Sequence, residues 1–379
     1  MRWACLLMLA VVLLSGSGAE AESSWPFWDH YAARFLAPEG RVIDPDRNSM
    51  TTSEGQSYAM FFSLVAGDAA TFERLRSWTE ANLARGSLSR NLPAWSWGKN
   101  SNGSWGVLDE NSASDSDLWI AYSLVEAGTL WKRSDYTQAV KALLVLIAKE
   151  EVAQLPNIGP VLLPGRDGFT PQSGQWLLNP SYLPLPLLIA SDHAIPDGPW
   201  RQMASALPGW LLQASPSGFA MDWVEYTAGK GFSPASAPGS GSSPPCGSYD
   251  AIRVYLWAGM AAPETPGARK LLEIFAPMVQ MVKTRPVLPE SIYANGGASN
   301  NAAPVSFQAA LLPLLWSTGD KLTANVQQRN VVAQFDRETG LLGVEPHYYD
   351  QNLALFALGW QEQLFRFAPD GALRVRWKK

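Results

Sequence analysis

Three acidic residues stand immediately before apolar stretches: Glu54 ahead of residues 58–65, Asp115 ahead of 118–130, and Asp250 ahead of 252–260. Paired carboxyls suit hydrolysis of an acetal. One, protonated, gives its proton to the leaving oxygen, and the other, ionised, activates water or attacks carbon; neither a metal nor a cofactor is required. Taken singly, each acid has a plain structural explanation. Thr51-x-x-Glu54 matches a capping box, Asp115 and Asp117 favour a helix dipole, and Asp250 is spaced to pair with Arg253. A positive helix end also lowers a carboxyl pKa, so an acid role for Glu54 needs apolar packing and neighbouring negative charge to outweigh it. Tyr58, Met60 and Phe61 are at hand for that burial.

The elements that would bring these acids together can be read from the order of motifs. Six polar, helix-starting clusters run into apolar stretches: 51–54, 112–115, 179–181, 248–250, 304–306 and 348–350. Each apolar stretch is hydrophobic nearly all round, as buried helices are, and amphipathic patterns such as 71–83 and 136–147 follow. The intervals leave room for two helices each. Six buried helices, each paired with an outer one, describe an all-α (α/α)6 barrel whose inner helices gather their N-termini at one mouth. There Glu54, Asp115 and Asp250 would meet, with Arg253, Tyr348 and Tyr349 beside them. An irregular helical domain is the weaker alternative.

The rest of the composition narrows the class. The chain has 379 residues and a net charge of −5, which argues against a nucleic-acid binder relying on a basic surface. Its three histidines, His30, His193 and His347, are too scattered for a multi-histidine metal site, and Cys5 and Cys246 make no disulfide framework. The run 109–117 resembles a calcium loop in composition but lacks the loop glycine and closing glutamate. Residues 1–21 read as a signal peptide: Arg2, an apolar run over 6–14, and Ala19-Glu20-Ala21 as the cleavage site. No later stretch approaches 18 uninterrupted apolar residues, so no membrane insertion is expected. The mature chain, 22–379, is expected to be one exported domain, periplasmic or secreted, with 233–248 a long loop inside it. The 17 tryptophans suit either sugar stacking or a heavy core.

These residues carry a resemblance. Thr52-Ser-Glu-Gly-Gln-Ser-Tyr58, Ala113-Ser-Asp-Ser-Asp117 and Tyr249-Asp-Ala-Ile-Arg253 are similar to three blocks of glycoside hydrolase family 8. The likeness runs from Trp25 to Trp377 and is nearest to the branch encoded with bacterial cellulose synthase. It implies an inverting endo-β-1,4-glucanase with β-1,4-glucan as substrate and the cellulose synthase export complex as an expected partner. By motif, Glu54 takes the place of the general acid and Asp250 that of the base, while Asp115 holds a distorted sugar beside the scissile bond. Arg253 and the pair Tyr348 and Tyr349 fall near the base and its water, with the choice between the two tyrosines open. Trp95 matches a stacking position, and Tyr182 is a further substrate-binding candidate. Trp97 and Trp105 suit further subsites or structural roles equally. Two rival readings are a polysaccharide lyase on the same toroid and a glucan-binding protein without catalysis.

Overall fold

The computed structural model describes residues 25–378, apart from 242 and 286. The expected signal, 1–21, lies outside the described residues. Six helices form an inner ring: α2 (Ser53–Ala66), α4 (Ser114–Leu130), α6 (Leu185–Ala194), α8 (Ala251–Met260), α11 (Val305–Ser317) and α13 (Tyr348–Gln361). Outside them lie α1 (Pro26–Phe35), α3 (Ala69–Asn82), α5 (Ser134–Glu150), α7 (Trp200–Ala214), the pair α9 (Ala268–Ile274) and α10 (Ala276–Thr284), and α12 (Lys321–Val332). The ring closes on itself, α2 packing on α4 and α13, α13 on α11, α11 on α8, and α8 on the short turn Pro180–Tyr182 that precedes α6. This is the expected (α/α)6 barrel, with one outer helix broken at Phe275, just before Pro277 in the first turn of α10.

An aromatic plug fills the ring below its N-terminal mouth. Phe61, Trp119, Trp257 and Phe356, from four inner helices, meet with ring centroids 5.0 to 5.3 Å apart, mostly edge to face or tilted. Tyr58, one turn below Glu54, stands 5.0 Å from Phe356. Most tryptophans serve this heavy core; among the described residues only Trp105 is exposed.

Short strands occupy the connections. β1 (Thr51–Thr52) pairs with β2 (Ser96–Lys99), which pairs with β3 (Trp105–Asp109), so this small sheet flanks the start of α2. The segment 233–248 is less of a free loop than its composition suggests. Trp223–Thr227 and Gly231–Ala235 make a hairpin, and Cys246–Gly247 pairs with Ile292–Tyr293.

Candidate active site

The capping box expected at Glu54 does not form. The N-cap of α2 is Thr52, whose hydroxyl accepts from the Gly55 amide at 3.1 Å, while Thr51 donates to the Val42 carbonyl. Glu54 is thereby left without a capping duty, and 24% of its side chain is open to the mouth. Asp250 is likewise not the cap that its position suggests. Asp222, from the segment before Trp223–Thr227, accepts from the amides of Ser248, Asp250 and Ala251 at 2.7 to 3.1 Å. It caps α8 in place of Asp250 and frees that carboxyl.

Arg253 joins the two freed acids. Its guanidinium is 4% exposed; one terminal nitrogen lies 2.7 Å from Asp250 and the other 3.5 Å from Glu54. Ser181 receives a bond from the nitrogen that faces Asp250, and Tyr349 from the one that faces Glu54. A buried cation held by several acceptors fixes its carboxylate neighbours in place. Asp115, buried on α4, accepts from the Ser116 amide and hydroxyl through a single oxygen, Oδ1.

The electrostatics separate the acids. Burial pushes the Glu54 carboxyl up to about 7; Arg253 opposes the shift, and the negative charges of Asp115 and Asp250 reinforce it. The helix end therefore loses to burial and like charge. Asp115 is raised chiefly by burial, against the pull of Arg253 and Ser116. Asp222 is pushed up to about 6, again mainly by burial, with Asp250 adding to it.

The tyrosines divide. Tyr349 donates to the Tyr249 carbonyl next to Asp250 and receives from Arg253, so it stands at the acid pair. Tyr348, expected as a substrate contact, is only 5% exposed and packs against Tyr31, Phe35 and Gly55. Adjacent residues on a helix face different ways, and Tyr348 is the one turned into the core. Tyr182 is close enough for its hydroxyl to feel Asp115, Asp250, Arg253 and Glu54, and its ring lies 6.5 Å from Trp223.

Trp95 is tied to the start of the acid's helix, its carbonyl accepting from the Ser53 amide, and the Arg47 guanidinium lies 6.0 Å from its ring. Arg47 also acts on Glu54. Trp97 and Trp105 stack on each other at 5.3 Å with Arg41 about 5 Å from both. Asp222, Ser181 and Arg47 escaped the sequence reading because none lies in an acid-before-helix motif. A Pro-flanked serine and an Asp before a strand give no local signal of what they reach.

The sequence and the fold are shared with known proteins. The family model for glycosyl hydrolases family 8 matches residues 1–363. The endoglucanase of Salmonella typhi is 42% identical, covering 97% of this chain and 95% of that protein. That of Escherichia coli (strain K12) is 40% identical, covering 98% and 96%. The crystal structure of endo-1,4-D-glucanase from Vibrio fischeri ES114 superposes with a TM-score of 0.86 at 38% identity, covering 94% of this chain and all of that one. The endo-beta-1,4-glucanase CMCax from Acetobacter xylinum gives 0.70 at 27% identity, covering 89% and 97%.

Proposed function

Since the chain belongs to the glycosyl hydrolases of family 8, we propose that it is an endo-β-1,4-glucanase that cleaves glucan with inversion, Glu54 serving as general acid and Asp250 as general base. The observation that carries the reading is Arg253 lodged against both carboxyls, which come from different inner helices. The guanidinium keeps the acids apart and stabilises the ionised one. Glu54, raised to about 7 by burial, retains its proton at mildly acidic pH and delivers it to the glycosidic oxygen as the bond to the anomeric carbon breaks. Asp250 takes a proton from a water that attacks that carbon from the opposite face. Asp115 accepts a hydroxyl of the sugar beside the scissile bond and favours its distorted ring. Tyr349 and Tyr182 line the same space, and Trp95 offers an aromatic face to a neighbouring sugar.

The reading extends to setting. The chain acts outside the cytoplasm, exported by its first 21 residues, and trims β-1,4-glucan during cellulose synthesis and export beside the synthase complex. The signal-like start of the sequence supports export, and the likeness of its motifs to the branch encoded with bacterial cellulose synthase supports the rest. The test is release of reducing ends from cello-oligosaccharides, followed together with ultraviolet absorbance of unsaturated products. Hydrolysis gives the first signal alone; the second would mean a lyase, and neither would mean a binding protein.

A further inference from the structure

Two buried carboxyls of the barrel have no part in this mechanism. Asp117, on the first turn of α4, and Glu151, just past the end of α5, are both fully buried and lie within hydrogen-bonding reach of each other, and both oxygens of Asp117 and the Oε2 of Glu151 are otherwise unpartnered. Two carboxyls can share a hydrogen bond only if one of them is protonated. Glu151 is better served: the Ser112 hydroxyl donates to its Oε1 at 2.5 Å, and the Arg166 amide donates in turn to that hydroxyl at 3.0 Å. Glu151 is therefore the acceptor and Asp117 the natural home of the proton.

We infer that Asp117 and Glu151, through one retained proton, form a clamp that positions Asp115 against the sugar. The clamp belongs to a wider set of ties on this turn. The Ser114 amide and hydroxyl donate to the carbonyls of Pro164 and Leu163, and the Leu163 amide donates to the Glu151 carbonyl at 2.7 Å. Residues 112–117 are thus fastened on both sides to the segment 163–166 and the end of α5. Asp115 lies in the middle of that fastened stretch. Because one of its oxygens is spent on Ser116, the direction of the other depends on the backbone of this turn.

Charge points the same way. The charged groups acting on the pair are Asp115 and Arg166. Burial raises both carboxyls, which favours keeping a bridging proton between them at neutral pH rather than two negative charges beside Asp115. A hydrophobic pair would fill the volume but would not tie α4 to α5 by a directed bond.

The inference rests on the role proposed for Asp115, and a double-mutant cycle keeps the two apart. Asp117→Ala should lower kcat on cello-oligosaccharides by roughly tenfold or more with KM changed by less than about threefold, because the distorted ring matters most in the transition state. Asp117→Asn, whose amide still donates to Glu151, should restore most of that loss. In an Asp115→Asn background, Asp117→Ala should cost nothing further. Losses that multiply, or a parental kcat in Asp117→Ala, would overturn the clamp while leaving an impaired Asp115→Asn intact. A parental kcat in Asp115→Asn would instead remove the role of Asp115. Should Asp117→Ala not fold, Ser112→Ala probes the same chain of bonds and must show the same non-additivity.

Discussion

The hydroxyl of Tyr348 fills the space that a side chain at Gly55 would need: a Cβ there would lie 2.1 Å from it. The position next to Glu54 is thus glycine for reasons of room, since the residue is helical and needs no unusual backbone angle. Gly55→Ala should cost about 1–3 kcal/mol of stability and lower turnover by displacing Glu54. Adding Tyr348→Phe, which removes the obstructing oxygen, should recover part of both. An alanine variant with parental melting temperature and kcat would show that the helix shifts freely.

Glu54→Gln and Asp250→Asn should each reduce kcat by about 10²–10⁴-fold with the fold and glucan binding retained, because each removes a proton transfer without removing volume. Proton NMR of the first product should show the α-anomer, as expected for carboxyls roughly 6.5–9.5 Å apart with a water between them. An initial β-anomer would exclude Asp250 as a general base.

The pH profile follows from the raised Glu54 carboxyl. The acid works only while protonated, so kcat/KM should be held below and lost as pH rises through about 7. Asp115 is one of the charges that raise it. Asp115→Asn should therefore move the alkaline limb to lower pH as well as lowering kcat. A limb that stays in place would assign it to another group.

Asp222 serves three backbone amides at once. Asp222→Ala should lose about 0.5–2 kcal/mol as a missing cap and depress kcat beyond that by loosening Asp250. Asp222→Asn, which keeps the accepting oxygen, should spare most of the stability. Equal melting temperatures for the two variants would mean that the carboxylate charge, not the accepted bonds, matters.

Glu126 offers a test away from the mouth. Buried on α4 and accepting from the Leu373 amide, it is pushed up from 4.5 to about 7 by burial. A carboxyl raised in the folded state contributes fully below its unfolded pKa and loses that contribution as pH climbs to the folded value. Glu126→Gln should thus leave the melting temperature at pH 4 unchanged and raise it at pH 8, where the gain in stability is at most ~3 kcal/mol. The same shift at both pH values would point to packing instead.

How much of this was legible in the chain depends on how local the signal is. The inner helices show themselves because apolar residues on every face at 58–65 or 118–130 can only be interior, and the acids at their starts follow. Asp222 does not, since its work is done on amides more than twenty residues later, across a hairpin and a strand pair. Nor could the choice between Tyr348 and Tyr349 be made from spacing, because it rests on the rotation of α13 relative to Gly55 and Arg253. The Asp117 and Glu151 pair was half visible: Asp117 looked like a dipole partner, and its real partner lies at the end of the next helix.

The closed ring also has a temporal consequence. α2, which carries Glu54, takes its final neighbour only when α13 docks beside it, and Tyr349, which receives from Arg253, lies on that same late helix. A nascent chain that has made Glu54, Asp115 and Asp250 therefore holds all three acids but not the finished mouth. Hydrolytic power thus depends on α13, and a truncation before it should yield an inert polypeptide rather than a weak enzyme.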